Sequence, residues 1–479
     1  MITTKSKRVR LILAFLSVAG LLIFATIFYF FSIENEIISP AKQVISASVD
    51  EPSKTTVSIA ALNDHSLNVA LKLLKNSDFE EQTGINVEAT LLEFEPMIRA
   101  HELDLTTDDG RYDLVSIDQP SLGHYVTQGW VHSLDEFMED SSLPSLTIDD
   151  LVPVLRKACS EWNGKLYAIP MGSYGSLLAY RTDVLSAAGL GPPMSFADFK
   201  ASAQKVNSPP ELYGVALFAH EGEYITADVA PFLWSWGSGL INGADVNHSD
   251  KPMFRAAWDT SEGIAALEFY ASIYTEGLTP PDTLEFDHER YIKAFQSGKI
   301  AMGIMPAEGI GLPMEDPAVS KVVGNIDYTT LPSRINADGS IIPPRAGLGA
   351  HSLAINRHSK HPREAYLVLQ FLTGKNIGHE YIDKGGRPFR NSHFSKDAVS
   401  KFPYLESIRL GMKTGRYRPN IPEYPAVSKI FYTAFHSALK YGAPVEEVMR
   451  AAAHKANEEI LIPAYPDNAQ REAKGAAVD

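Results

Sequence analysis

After residue 54 the chain settles into a repeating pattern. Val57, Ile59 and Ala61 recur at every second position, as in a strand, and Leu67, Ala70, Leu71 and Leu74 then recur at helical spacing. Gly84 stops that helix before Ile85-Asn86-Val87-Glu88-Ala89, which predicts a strand-helix-strand unit. A second unit ends in Tyr112-Asp113-Leu114-Val115-Ser116-Ile117, an apolar run that breaks off at Asp118-Gln119-Pro120. Leu166-Tyr167-Ala168-Ile169-Pro170 has the pattern of a strand feeding a Gly- and Ser-rich segment, residues 172–176. Helical periodicity follows over residues 195–206, 262–275, 290–297, 362–373 and 425–440. Strands alternating with helices predict an α/β fold with helices on both faces of the sheets.

The N-terminus breaks this pattern. Lys5, Lys7, Arg8 and Arg10 precede residues 11–33, which contain no charge and no proline. A helix of that length spans roughly 30 Å of hydrocarbon, whereas a signal segment's apolar stretch has only about 7 to 15 residues. We therefore expect an uncleaved transmembrane anchor with its basic end (residues 1–10) inside. The alternative is a long signal segment cut near Ser46-Ala47-Ser48. Either places the bulk of the chain outside the cytoplasm. Residues 34–53 are polar, carry Pro40 and Pro52, and suit a linker. Residues 466–479 form a polar, Ala-rich tail.

Composition narrows the function classes. With 479 residues the chain has room for two or three domains, and its 45% hydrophobic and 21% charged residues are ordinary globular values. A net charge of -15 opposes binding to nucleic acid, which is itself a polyanion. Cys159 is the only cysteine, so neither an intrachain disulfide nor a multi-cysteine metal site can form.

No complete hydrolase, P-loop, dinucleotide or zinc-protease motif is present. Gly347-Leu348-Gly349 lacks the third glycine of a dinucleotide loop, and His358 and His361 flank a polar Ser359-Lys360 that fits a solvated loop better than a metal site. Adjacent acids such as Asp108-Asp109 and Asp149-Asp150 point to different faces and fit solvated surface. Neither a cofactor nor catalysis is expected.

A better candidate lies where a buried strand ends. Ligands of open α/β sheets sit beyond the carboxyl ends of the strands, so Asp118 and Gln119 are placed to face a crevice. A carboxylate accepts from two vicinal hydroxyls while an amide both donates and accepts, which matches a sugar. Asp118 could instead cap the following helix. Trp234 and Trp236, in Trp-Ser-Trp-Gly-Ser-Gly, offer rings on which the C–H face of a sugar packs, unless they belong to the core. Tyr174, in the glycine-rich segment, is open to the same two interpretations.

Five segments in this order resemble a known family, the bacterial extracellular solute-binding proteins of family 1. They are Phe79-Glu80-Glu81-Gln82-Thr83-Gly84-Ile85-Asn86-Val87, Tyr112 to Gln119, Gly164-Lys165-Leu166-Tyr167-Ala168-Ile169-Pro170, Ala294-Phe295-Gln296-Ser297-Gly298-Lys299-Ile300-Ala301-Met302 and Gly385-Gly386-Arg387-Pro388-Phe389-Arg390. The resemblance implies a two-lobed periplasmic-binding-protein fold of the type II, maltose-binding-protein-like form. It also implies a monomer that closes on a carbohydrate ligand and delivers it to the ABC permease subunits of an importer. A sensor-partner binding protein and an envelope carbohydrate-active enzyme are the alternatives.

On that resemblance, residues 54–172 and 306–349 would form the first lobe, and residues 173–305 and 350–465 the second. Crossings would fall near residues 170–174, 305–308 and 349–353. The cleft would collect Asp118, Gln119, Tyr174, Glu308 and His351, with Asp64, His65, Glu93 and Arg390 as additions. His351 stands where relatives more often carry glycine or an aromatic, so it either rims the ligand or packs in the hinge. The lipid-attachment cysteine of many relatives is absent.

Overall fold

The computed structural model describes residues 55–107, 109–242, 254–306 and 309–466. The expected basic end, anchor and linker lie outside these residues, as does all but the first residue of the expected tail. Among the described residues, no helix is long and apolar enough to cross a membrane.

The chain opens with β1 (Thr55–Leu62), α1 (His65–Lys75), β2 (Ile85–Leu92), α2 (Phe94–Thr106) and β3 (Leu114–Asp118). β1 pairs in parallel with β2 along its whole length and with β3 at Ile59 and Ala60. Every residue of β3 is buried, since the strand has neighbours on both edges. After β4 (Ala168–Pro170) the chain passes through β5 (Tyr174–Gly175) into β6 (Leu177–Arg181), the first strand of a second sheet. There follow α3 (Phe196–Val206), β7 (Tyr213–Ala216), α4 (Glu223–Ser235), α5 (Ser261–Thr275), α6 (His288–Gln296), β8 (Ile300–Met305) and β9 (Ile326–Thr329).

The chain then returns through β10 (Gly347–Gly349) to β11 (His351–Ile355), continues in α7 (Pro362–Thr373), crosses again at β12 (Arg416–Tyr417), and ends in α8 (Tyr424–Tyr441) and α9 (Val445–Ala456). The first sheet has the order β2-β1-β3-β11-β4 and the second the order β9-β6-β8-β7. Between them the three crossings pair with one another as β12-β10-β5. A side chain at Gly415 would place its Cβ 2.4 Å from Leu348 Cγ, so with glycine there β12 approaches β10 without displacing the Leu348 side chain.

Sheet membership corrects the expected lobe boundaries twice. Residues 306–349 are expected in the first lobe, yet β9 pairs antiparallel with β6 from Ile326↔Arg181 to Thr329↔Leu178 and closes the edge of the second sheet. Residues 350–465 are expected in the second lobe, yet β11 runs antiparallel to β3 from His351↔Asp118 to Ile355↔Leu114, inside the first sheet. The expected crossing at residues 305–308 is therefore not one, because β8 and β9 share a sheet. The third crossing is instead β12, where a two-residue strand gives too short an apolar pattern to be recognised.

Helical periodicity proves a reliable guide. The pattern at residues 195–206 corresponds to α3, whose N-cap Ser195 accepts from Asp198 N–H while Asp198 accepts from Ser195 N–H. The patterns at 262–275, 290–297, 362–373 and 425–440 correspond to α5, α6, α7 and α8.

Candidate functional site

Four elements converge between the two sheets. β3 ends at Asp118, β11 begins at His351 directly opposite it, α4 begins at Glu223, and the chain leaves β12 at Arg418. Together they enclose a cavity of about 120 Å³. Phe94, Phe218, Tyr224 and Trp234 give it aromatic walls, and Ile304, Leu348 and Gly347 to Gly349 complete its apolar lining. The aromatic wall is continuous across the lobes. Phe94 from the first lobe lies 6.1 Å from Tyr224 of the second and 6.1 Å from His351, and Tyr224 lies 5.2 Å from Phe218.

The polar part of the cavity is built around one cation. Arg418 Nη2 donates to both oxygens of Asp118, at 3.0 and 2.9 Å, and Nη1 donates to Glu223 Oε2. Tyr424 O–H donates to that same Glu223 oxygen at 3.0 Å, and Ser428 O–H donates to the other. Gln119 secures the cation's backbone, its Nε2 donating to Arg418 C=O at 3.1 Å. Burial alone would disfavour the guanidinium's charge, but Asp118, Tyr424 and Glu223 reverse that and raise its pKa. Asp118 comes from the first sheet and Glu223 from a second-lobe helix, so Arg418 joins the lobes by charge. Asp118 makes no side-chain capping bond, which removes the helix-cap alternative.

Of the residues singled out from sequence, Asp118, Trp234 and His351 line this cavity. Gln119 lies directly behind it. The remainder are elsewhere. Asp64 caps α1, accepting from Ser66 N–H at 2.8 Å and Leu67 N–H at 3.2 Å, and pairs with Arg387; these two and His351 border a separate small cavity. His65 is exposed, its Nε2 3.2 Å from Lys384 O. Glu93 is exposed at the start of α2, next to Phe94 but outside the lining.

Arg390, expected at the site, is instead fully buried, donating to the carbonyls of Thr373, Thr147 and Leu146. It ties loops together within the protein and has no opening to the cavity. Trp236 belongs to the second-lobe core, 4.9 Å from Phe196 and 5.0 Å from Phe269. Trp234 lies within α4 and Trp236 is its C-cap. Tyr174 is in β5, paired with Gly349. Glu308 falls outside the described residues.

Sequence reasoning missed Arg418, Glu223 and Asp228. Arg418 was detectable in principle as a basic residue fixed in extended backbone by Pro419, inside a strongly acidic chain. Glu223 and Asp228 sit on α4, a helix so uniformly buried that it shows no amphipathic period.

This two-lobed arrangement has clear counterparts. A model of the bacterial extracellular solute-binding protein family matches residues 65–376. The chain belongs to that family. As a solute-binding protein it resembles the mannitol-binding protein of Pseudomonas aeruginosa, 24% identical over 86% of this chain and 94% of that one. An ABC transporter solute-binding protein of Agrobacterium radiobacter K84, solved with ribitol, superposes with a TM-score of 0.77 at 26% identity, covering 86% of this chain and all of that one. Another from Agrobacterium vitis S4, with bound D-mannitol, gives a TM-score of 0.74 at 22% identity, over 86% of this chain and all of that one, and so speaks for the fold alone. Members of this family bind a solute and do not transform it.

Proposed function

We propose that the protein captures one small polyol or monosaccharide in the cavity between its lobes and delivers it to ABC permease subunits outside the cytoplasm. The cavity's size carries this reading. At about 120 Å³ it is comparable to the cavities of about 150 Å³ that hold a single benzene, the size of one sugar ring or short polyol. Its chemistry agrees, because aromatic walls suit C–H faces while Asp118 and Glu223 keep lone pairs for hydroxyls. The relatives named for mannitol and solved with ribitol support the same class. Calorimetry on the full chain in detergent is expected to detect binding of D-mannitol, ribitol or a monosaccharide, and none of maltotriose. Silence from every polyol and monosaccharide, or tightest binding of the trisaccharide, would sink the proposal.

Within the site, Asp118 is proposed to hold a ligand hydroxyl. Asp118→Asn keeps an oxygen for Arg418 but loses the charge that strengthens the bond to ligand. Polyol affinity should fall roughly tenfold. An Asn variant of normal affinity would remove Asp118 from the ligand's partners.

Residues 11–33 are proposed to stay attached as a membrane anchor, on the strength of their length and lack of charge. Mass spectrometry of protein extracted from the envelope is expected to recover the N-terminal residues. A mature N-terminus near Ala47 or Ser48 would mean a cleaved signal segment instead.

A further inference from the structure

Among its aromatic side chains, the second-lobe wall of the cavity carries hydrogen-bond acceptors. Asp228, five residues beyond Glu223 on α4, is 4% exposed and lines the cavity. Its Oδ2 accepts from Phe218 N–H at 2.9 Å and Tyr270 O–H at 2.8 Å, whereas its Oδ1 accepts nothing from the described residues. Beside it, Pro231 stands inside the helix and has no N–H to give the Ala227 carbonyl, and Ala227 lines the cavity too. The free Asp228 Oδ1 and the Ala227 carbonyl, which cannot receive the usual helical N–H from position 231, therefore lie on adjacent residues of one wall.

Charge points the same way. Three carboxyl groups line the cavity, Asp118, Glu223 and Asp228, against one guanidinium, and Arg418 is committed to the first two. Asp228 forms no ion pair among the described residues. The titratable groups packed against it are Tyr270 from α5 and Tyr291 from α6, both fully buried, with His288 of α6 lining the same cavity. Arg418 and His351 are the basic groups on the facing side. A buried carboxyl without a cation is a costly arrangement unless it is protonated or a ligand brings the missing charge.

We propose that the Ala227 carbonyl and the Asp228 carboxyl together select a protonated amino group, so that the preferred ligand is an amino-bearing polyol or sugar; the inference rests on the polyol-binding reading above. A primary ammonium has three N–H donors for these two oxygens and supplies the charge that Asp228 lacks, where a hydroxyl offers one donor and no charge.

Burial pushes the Asp228 pKa up to about 7, although the bonds from Tyr270 and Phe218 oppose it. The carboxylate fraction in the empty site thus rises from about one tenth at pH 6 to about nine tenths at pH 8. An ammonium ligand binds that ionised form, so its affinity should climb roughly tenfold over this range, while that of the matched hydroxyl compound should not climb.

The test is calorimetry on the full chain in detergent with D-glucitol against D-glucamine and D-mannitol against 1-amino-1-deoxy-D-mannitol, at pH 6, 7 and 8. The expected result is that the amine of at least one pair binds more tightly at pH 8, by about tenfold or more, with an advantage that shrinks at pH 6. In Asp228→Asn the ratio of amine to hydroxyl affinity should collapse toward unity. Should that variant lose its cooperative unfolding transition, Tyr270→Phe supplies the answer, because losing a donor to the carboxylate should move the rise in amine affinity to higher pH. Hydroxyl compounds binding as tightly as their amines at every pH would overturn the proposal and leave the polyol reading intact. Binding of neither class would end both.

Discussion

Replacing Arg418 with methionine is expected to lower the free energy of unfolding by about 3 to 5 kcal/mol, read as a lower denaturant midpoint with an unchanged slope. The side chains of Asp118 and Glu223 are 5% and 17% exposed, and without the guanidinium each loses the cation that offsets its desolvation. Methionine fills much of the volume, so the loss reflects charge far more than packing. A control sharpens this. Adding Asp118→Asn and Glu223→Gln to Arg418→Met removes the stranded charges and should recover most of the stability, since a neutral buried cluster has no desolvation cost of that kind. An Arg418→Met protein as stable as the parent would mean that water already compensates these carboxylates.

Trp234→Ala is expected to be equally damaging, but in two properties at once. The residue is 3% exposed and forms part of the cavity wall, so truncation should cost about 3 to 5 kcal/mol of stability and also weaken polyol binding. Trp236→Ala provides the contrast. Trp236 is packed among Phe196, Phe232 and Phe269, with the Arg334 guanidinium 5.0 Å from its ring centre, and should lose comparable stability with little change in affinity. Equal losses of affinity in the two variants would show that the ligand responds to the state of the second lobe as a whole and not to contact with Trp234.

Periodicity made most elements of this chain legible. Strands and helices with one buried face, such as α3 with its Ser195 cap, announce themselves by spacing and terminal residues. Lobe membership was not legible in the same way, because β9 and β11 reach their sheets by pairing with strands far back in the chain, and one sequence does not encode partners. The site was legible in part for a related reason. Asp118 ends a conspicuous strand, whereas α4 is buried all round and carries a mid-helix proline, so its contribution to the cavity left no periodic trace. Arg390 misled because its motif is distinctive, yet the residue's bonds go to carbonyls of its own lobe.

The first sheet is completed late. β11 is inserted between β3 and β4, so the strand at residues 168–170 has no partner in that sheet until residues 351–355 have emerged. Closing a loop of this length carries an entropic cost that few early contacts can offset, which delays commitment to the folded state. An N-terminal portion that ends before residue 351 can pair β1, β2 and β3 but cannot close the sheet, so the first lobe is completed only once roughly three quarters of the protein is available.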